Sequence, residues 1–226
     1  MLDQNYFKKI LNGIGKGDKI GGPFHLASIL SKDISKQKMF CIKSIRNSYL
    51  NWWENGAFDT GPTFASVFSK IQNRMKFDKA VFETHKQFNQ NTAGCGPAHR
   101  ASPIAGFMYI KNDRLIELAR DEAKITHYHE DAGNGSAIVV VLCRYLLEGK
   151  NFNEAQELIS KNNELKYSWK KVQNAELKPD GYIFNVIHSA LYFIRENKSL
   201  DDAIKFSGKA NYCSVLVGAI MACLKK

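Results

Sequence analysis

The sequence predicts an all-α chain. Three observations carry that reading. Apolar residues recur at spacings of three and four in several segments. The run Ala137 to Leu147 is apolar nearly all round and too long for a typical strand. Alternating apolar–polar strands are absent, as are Asn-Gly turns between apolar runs.

The elements follow in order. Met39, Ile42, Ile45, Tyr49 and Trp52 make one helical stripe, and Phe64, Val67, Phe68 and Ile71 make a second. Leu115, Leu118 and Ala119 open a third after a polar Lys-Asn-Asp stretch. AIVVVLCRYLL, from Ala137, reads as a central buried helix. Ile183, Val186, Ile187, Ala190, Leu191 and Ile194 form a full apolar face. Ser199 with Asp202 resembles a capping box that opens a short helix around Ala203. Four glycine-rich or small-polar loops interrupt the pattern: Gly13 to Pro23, Gly56 to Thr63, Thr92 to Pro103, and Gly208 to Cys213. Each leads into a helix, and converging helix N-termini would suit an anion such as a diphosphate. Alone, each loop also reads as a corner in a compact bundle.

Composition bounds the function. The 226 residues suffice for a full core, and 44% hydrophobic with 24% charged content is ordinary for a soluble globular chain. The formal net charge of +10 favours anionic partners, but the lysines are scattered, with no basic block and no aromatic–basic interleaving. That pattern argues against a nucleic-acid binder. Five cysteines, odd in number and without a CxxC, fit a reducing, intracellular compartment. The start carries no signal-peptide core, and the apolar run Val215 to Leu224 is too short to span a bilayer. The expectation is a soluble, cytoplasmic protein of one domain over residues 1–226, with no membrane partner.

Several motifs fail. In GIGKGDKIGG, Gly15-Lys16 is followed by Gly17, where a phosphate-binding P-loop needs Ser or Thr, and the dinucleotide spacing misses by one residue. His127-Tyr128-His129-Glu130-Asp131 has the look of a metal cluster, yet histidines at i and i+2 do not share a helix face and HExxH is missing. No Gly-x-Ser-x-Gly elbow supports a serine hydrolase.

Taken in order, the loops resemble one family. GDKIGGPF (Gly17 to Phe24) is similar to a Gly-Asp-Ala-Leu-Gly opening, and FDTGPT (Phe58 to Thr63) to a Thr-Asp-Asp-Thr or Asp-Ile-Gly metal loop. GCGPAHRASPIAGF (Gly94 to Phe107) resembles a Gly-Asn-Gly-Ala-Ala-Met-Arg-x-x-Pro-Leu segment. THYHEDAGNGSAIVVVLCRYL, from Thr126, resembles a Thr-His stretch with its buried helix. GYIFNVIHSALYFI, LDDAI and GKANYCSVLVGAIMA resemble the closing helices and last loop. The pattern is that of the ADP-ribosylglycohydrolase family, which includes dinitrogenase-reductase-activating glycohydrolases and ADP-ribosyl-acceptor hydrolases.

The resemblance implies a compact orthogonal helical bundle. It also implies ADP-ribose or an ADP-ribosylated protein as partner, paired magnesium ions, and hydrolysis of the bond between ADP-ribose and a side chain. That bond breaks through an oxocarbenium-like state that a carboxylate can assist. Residue by residue, it makes Asp59 a metal ligand and catalytic group, with Thr60 or Thr63 beside it. Asp18 would support the N-terminal loop, Gly94, Gly96 and Arg100 would line the diphosphate or adenosine side, and His127 would sit near the ribose. For Asp59 the plain alternative is a helix cap, and for His127 a hydrogen-bonded core histidine.

Two departures stand out. The family's Gly-Asp-Thr-Asp-Thr closing loop is replaced by Lys209, Ala210, Asn211 and Tyr212. His25 falls where some members carry a catalytic glutamate, so the resemblance makes it a catalytic candidate beside Asp59. Magnesium held by so few carboxylates should be a single or weakly bound ion. Three functions therefore stay open: a hydrolase with altered metal use, a nucleotide-binding module in which Lys209 and Asn211 face phosphate, and an interaction protein that keeps the fold alone.

Overall fold

The computed structural model describes residues 6–210 and 212–224. Among them it forms thirteen α-helices. These are α1 (Tyr6–Gly17), α2 (Gly22–Gln37), α3 (Ile42–Glu54), α4 (Pro62–Gln72), α5 (Phe77–Gln87), α6 (Gly96–Ala101) and α7 (Leu115–Ala123). They continue as α8 (Glu130–Leu147), α9 (Phe152–Lys161), α10 (Lys166–Gln173), α11 (Ile183–Arg195), α12 (Leu200–Ser207) and α13 (Cys213–Met221). The only β pairing among the described residues is one bridge between Gly94 and Tyr182.

The bundle is built around α8. Every residue from Gly135 to Arg144 is buried. A helix apolar on all sides must be enclosed by others, and α6, α7, α9, α10, α11 and α13 pack on it. Asp131 and Glu130 sit in its first turn, where the helix dipole favours negative charge. No helix among the described residues is long and apolar enough to cross a membrane. One apolar core runs from Ile10 to Cys223. All five cysteines are unpaired thiols.

The helical stripes read from sequence form helices, except that Met39 lies exposed before α3, and the Ser199–Asp202 capping box is present, with the Asp202 amide on Ser199 Oγ at 3.1 Å. A second box starts α9 at Asn151 and Glu154.

The expected loop from Gly13 needs correction. Gly13 and Gly17 lie inside α1, and the connection to α2 begins only at Asp18. The glycines serve helix contact. A Cβ at Gly13 would lie 2.2 Å from the Gly218 carbonyl oxygen, and one at Gly17 would lie 2.1 Å from that of Ser214. Bare backbone on both sides lets α1 and α13 touch along Gly13/Gly218 and Gly17/Ser214, and the Ser214 hydroxyl donates to the Gly17 carbonyl at 2.8 Å. The loop from Thr92 is likewise shorter than expected, since Gly96–Ala101 is helical.

Candidate functional site

A cavity of about 440 Å³ opens where the helix-leading segments meet, within the size range of small-molecule sites. Pro23 and Leu26 come from α2, Asp59 to Phe64 from the entry and start of α4, and Gly94, Cys95, Gly96, His99 and Arg100 from the entry and body of α6. His127 precedes α8, Gly181 precedes α11, and Ala210 and Tyr212 precede α13. Neither α4 nor α6 has a side-chain cap. The amides of a first turn have no acceptor within their own helix, and their dipole end is positive.

The structure brings together seven of the residues picked out by sequence: Asp59, Thr60, Thr63, Gly94, Gly96, Arg100 and His127 all line the cavity. Asp59 is exposed at the rim with φ 49, a left-handed conformation that Asp tolerates better than most residues. Its backbone is pressed onto Gly22, where an added Cβ would lie 2.3 Å from the Asp59 carbonyl oxygen. This contact locks the metal-loop candidate to the start of α2. Thr60 Oγ1 reaches the Gly61 carbonyl at 3.5 Å, and Thr63 is buried.

The other candidates lie elsewhere. His25 does not line the cavity; its exposed ring stacks on Trp52 with centroids 5.0 Å apart. Asp18 is outside it too, and its carboxylate accepts the amides of Ile20, Gly21 and Phe24 at 3.1, 2.7 and 2.8 Å, fastening the entry to α2. Lys209 is exposed and not a lining residue. Asn211 lies outside the described residues.

Arg100 takes a role that sequence did not suggest. It is 1% exposed, and its guanidinium meets Glu122 Oε1 at 2.6 Å and Thr126 Oγ1 at 2.9 Å. The Tyr49 hydroxyl donates to the same Glu122 oxygen at 2.8 Å. Burial works against the Arg100 charge, but Glu122 and then Tyr49 outweigh it and raise its pKa. Its charge is therefore balanced inside the protein. Glu122 and Tyr49 were missed because Glu122 lies in the ordinary charged run ARDEAK and Tyr49 in a plain apolar stripe.

Two histidines face this site as neutral rings. Burial, reinforced by the Arg100 charge, lowers the His127 pKa well below the usual histidine value. Burial pushes His99 down to about 4, against the opposing pull of the Tyr212 carbonyl and Asp18. His99 Nε2 donates to that carbonyl at 2.8 Å. His99 stands inside the quoted GCGPAHR motif, so a signal for it existed. The Cys95 thiol, raised by burial to about 12, is no nucleophile.

The metal expectation meets a poor donor set. Among the described lining residues Asp59 is the sole carboxylate. No group of three or more His, Cys, Asp or Glu side chains among the described residues could hold an ion. The wall contributed by the closing loop offers Ala210 and Tyr212. Magnesium needs several hard oxygen ligands in near-octahedral array, and these residues do not fit a pair of such ions. The histidine-rich stretch is not a metal cluster either: His129 Nδ1 accepts the Asp131 amide as the cap of α8, and Asp131 pairs with Lys171 at 2.8 Å.

A profile of the ADP-ribosylglycohydrolase family matches residues 24–225. The chain belongs to the ADP-ribosylglycohydrolase family. This is a hydrolase-type family, so a general glycohydrolase-like function follows at that level. Comparison with curated proteins gives no match. Among solved structures the chain is similar to an "ADP-ribosylglycohydrolase-related protein complex", with TM-score 0.71 and 17% identity over 97% of this chain and 88% of that one. At that identity the likeness is one of fold. It agrees with the all-α bundle, whose glycohydrolase-family cavity sits at the meeting of the motif loops.

Proposed function

We propose that this glycohydrolase-family chain binds ADP-ribosyl compounds, free or attached to protein, in the cavity, and does so without paired magnesium. The observation that carries the reading is the convergence of the uncapped starts of α4 and α6 on one cavity where Arg100, the only lining cation among the described residues, is already balanced by Glu122. A diphosphate would be met by first-turn amides of Thr63, Phe64 and Gly96, as anions commonly are at helix N-termini. The ribose would lie toward Asp59 and His127.

A second reading keeps hydrolysis, and the placement of Asp59 favours it. A carboxylate at the rim of a ribose-sized recess can act as general base toward water at C1″ as the glycosidic bond breaks. Calorimetric titration with ADP-ribose, in magnesium and in chelator, tests the first reading. The expected result is the same affinity in both and a weaker one in Asp59→Ala. Heat that vanishes with chelator would overturn it and restore a metal site. Release of ADP-ribose from modified arginine or serine peptides, lost in Asp59→Ala, would establish the second.

A further inference from the structure

Buried polar groups form one chain from the core to the cavity. The Tyr49 hydroxyl and Arg100 Nε both donate to Glu122 Oε1. Arg100 Nη2 donates to Thr126 Oγ1, and Thr126 Oγ1 stands 2.7 Å from His127 Nδ1. Tyr49, Arg100, Glu122 and Thr126 are all 0–1% exposed, and His127 is 5% exposed. The other ring nitrogen lies beside Gly94, where an added Cβ would be 3.1 Å from Nε2, and both residues line the cavity.

The proton count along this chain favours one solution. Arginine has donors only, so Thr126 Oγ1 accepts from it. The threonine is 0% exposed, and its own proton then needs an acceptor, as buried hydroxyls generally have one. His127 Nδ1 is the partner in reach. A proton on Nδ1 would make Thr126 Oγ1 accept twice and take away the acceptor that Nδ1 offers to the hydroxyl hydrogen.

We propose that Thr126, held by the Arg100–Glu122 pair, is a positioning residue that fixes His127 as the Nε2–H tautomer and so makes it a permanent, uncharged hydrogen-bond donor to a ligand oxygen in the cavity. The pair orients the hydroxyl, and burial first, then the Arg100 charge, keeps the ring from charging. The ring discriminates for acceptors: a ribose hydroxyl or ring oxygen or a carbonyl is accepted at this position, whereas an ammonium or guanidinium donor is not. The ligand half of this inference rests on the ADP-ribosyl reading of the cavity; the tautomer half does not.

Two-bond ¹H–¹⁵N correlation spectra of histidine-labelled protein test it directly. The wild-type chain should show His127 protonated at Nε2 and unprotonated at Nδ1, with no titration from pH 8 to pH 5. Thr126→Val should lose that pattern and Thr126→Ser should keep it. Titrated with ADP-ribose, Thr126→Val should bind about tenfold more weakly, as when one buried hydrogen bond is lost, and Thr126→Ser within about twofold of wild type. Wild-type Nδ1–H, or an unchanged Nε2–H pattern in Thr126→Val, would overturn the assignment. An intact Nε2–H pattern without ADP-ribose binding would overturn the ligand reading and leave the tautomer lock standing.

Discussion

Arg100 and Arg144 are 1% and 2% exposed, and they are held in opposite ways. Arg100 rests on one carboxylate, Glu122, at 2.6 Å. Arg144 rests on dipoles: the carbonyls of Ala105, Ile110 and Phe107 at 2.8, 2.9 and 3.0 Å, and Asn112 Oδ1 at 2.6 Å. Its nearest acid, Glu148, is 3.9 Å away and half-buried. The pKa directions follow. Around Arg100 the carboxylate overcomes burial and the value rises; around Arg144 burial prevails and it falls. A counter-charge gives a site that carries polarity onward, here through Thr126 to the cavity. A ring of carbonyls gives a staple, here for the segment 105–112 against α8.

The largest test of this difference is Arg100→Met. It strands the Glu122 charge in the core, and unfolding by denaturant should show a loss of about 3–5 kcal/mol. Adding Glu122→Gln should recover most of it, because the stranded charge is then gone. If the double variant is as unstable as the single one, the counter-charge picture fails.

Next comes acid. His99 lies beside Arg100 on α6 and keeps a pKa of about 4 when folded, against 6.5 for an ordinary histidine. Between those values the unfolded chain binds a proton that the folded chain refuses. Stability therefore falls as pH drops through this window, by about 3 kcal/mol at most from this residue. The lowered His127 works in the same direction. His99→Gln should flatten the slope of unfolding free energy between pH 6.5 and pH 4, and a slope unchanged from wild type would assign the acid sensitivity to other groups.

Arg144→Met should be milder, about 1–3 kcal/mol. It leaves carbonyls short of a donor but strands no charge, and the segment they belong to carries exposed Tyr109 and Lys111. No single charge-removing partner change should rescue it. The smallest effect belongs to Glu148→Gln, below about 1 kcal/mol, as expected of a long, partly solvated pair. A larger loss would mean that Arg144 depends on a counter-charge after all, and the two arginines would then be alike.

The sequence made the outer logic of the molecule legible and concealed the inner one. α8 and α11 announce themselves because burial or amphipathicity imposes a period on many residues at once. The Ser199–Asp202 box is visible because capping chemistry is local. The cavity residues Asp59, Thr63, Gly94 and His127 were found through the order of short motifs. Glu122 was not, because an acid in a charged run looks solvated until a partner on another helix claims it. Gly13 and Gly17 misled for the converse reason. Glycine reads locally as a turn, and what holds these two in a helix is the backbone of α13, roughly two hundred residues on.

That seam ties the earliest helix to the last one, and it sets a schedule for biogenesis. During synthesis at 5–20 residues per second, α1 would wait about 10–40 s before α13 is made. Over that interval α1 can pack on α2 and on Ser102–Gly106, but the side that meets α13 stays uncovered. Closing so long a span then costs about 5 kcal/mol in the length-dependent part of the loop entropy. Folding of this chain is therefore expected to finish at the α1–α13 contact.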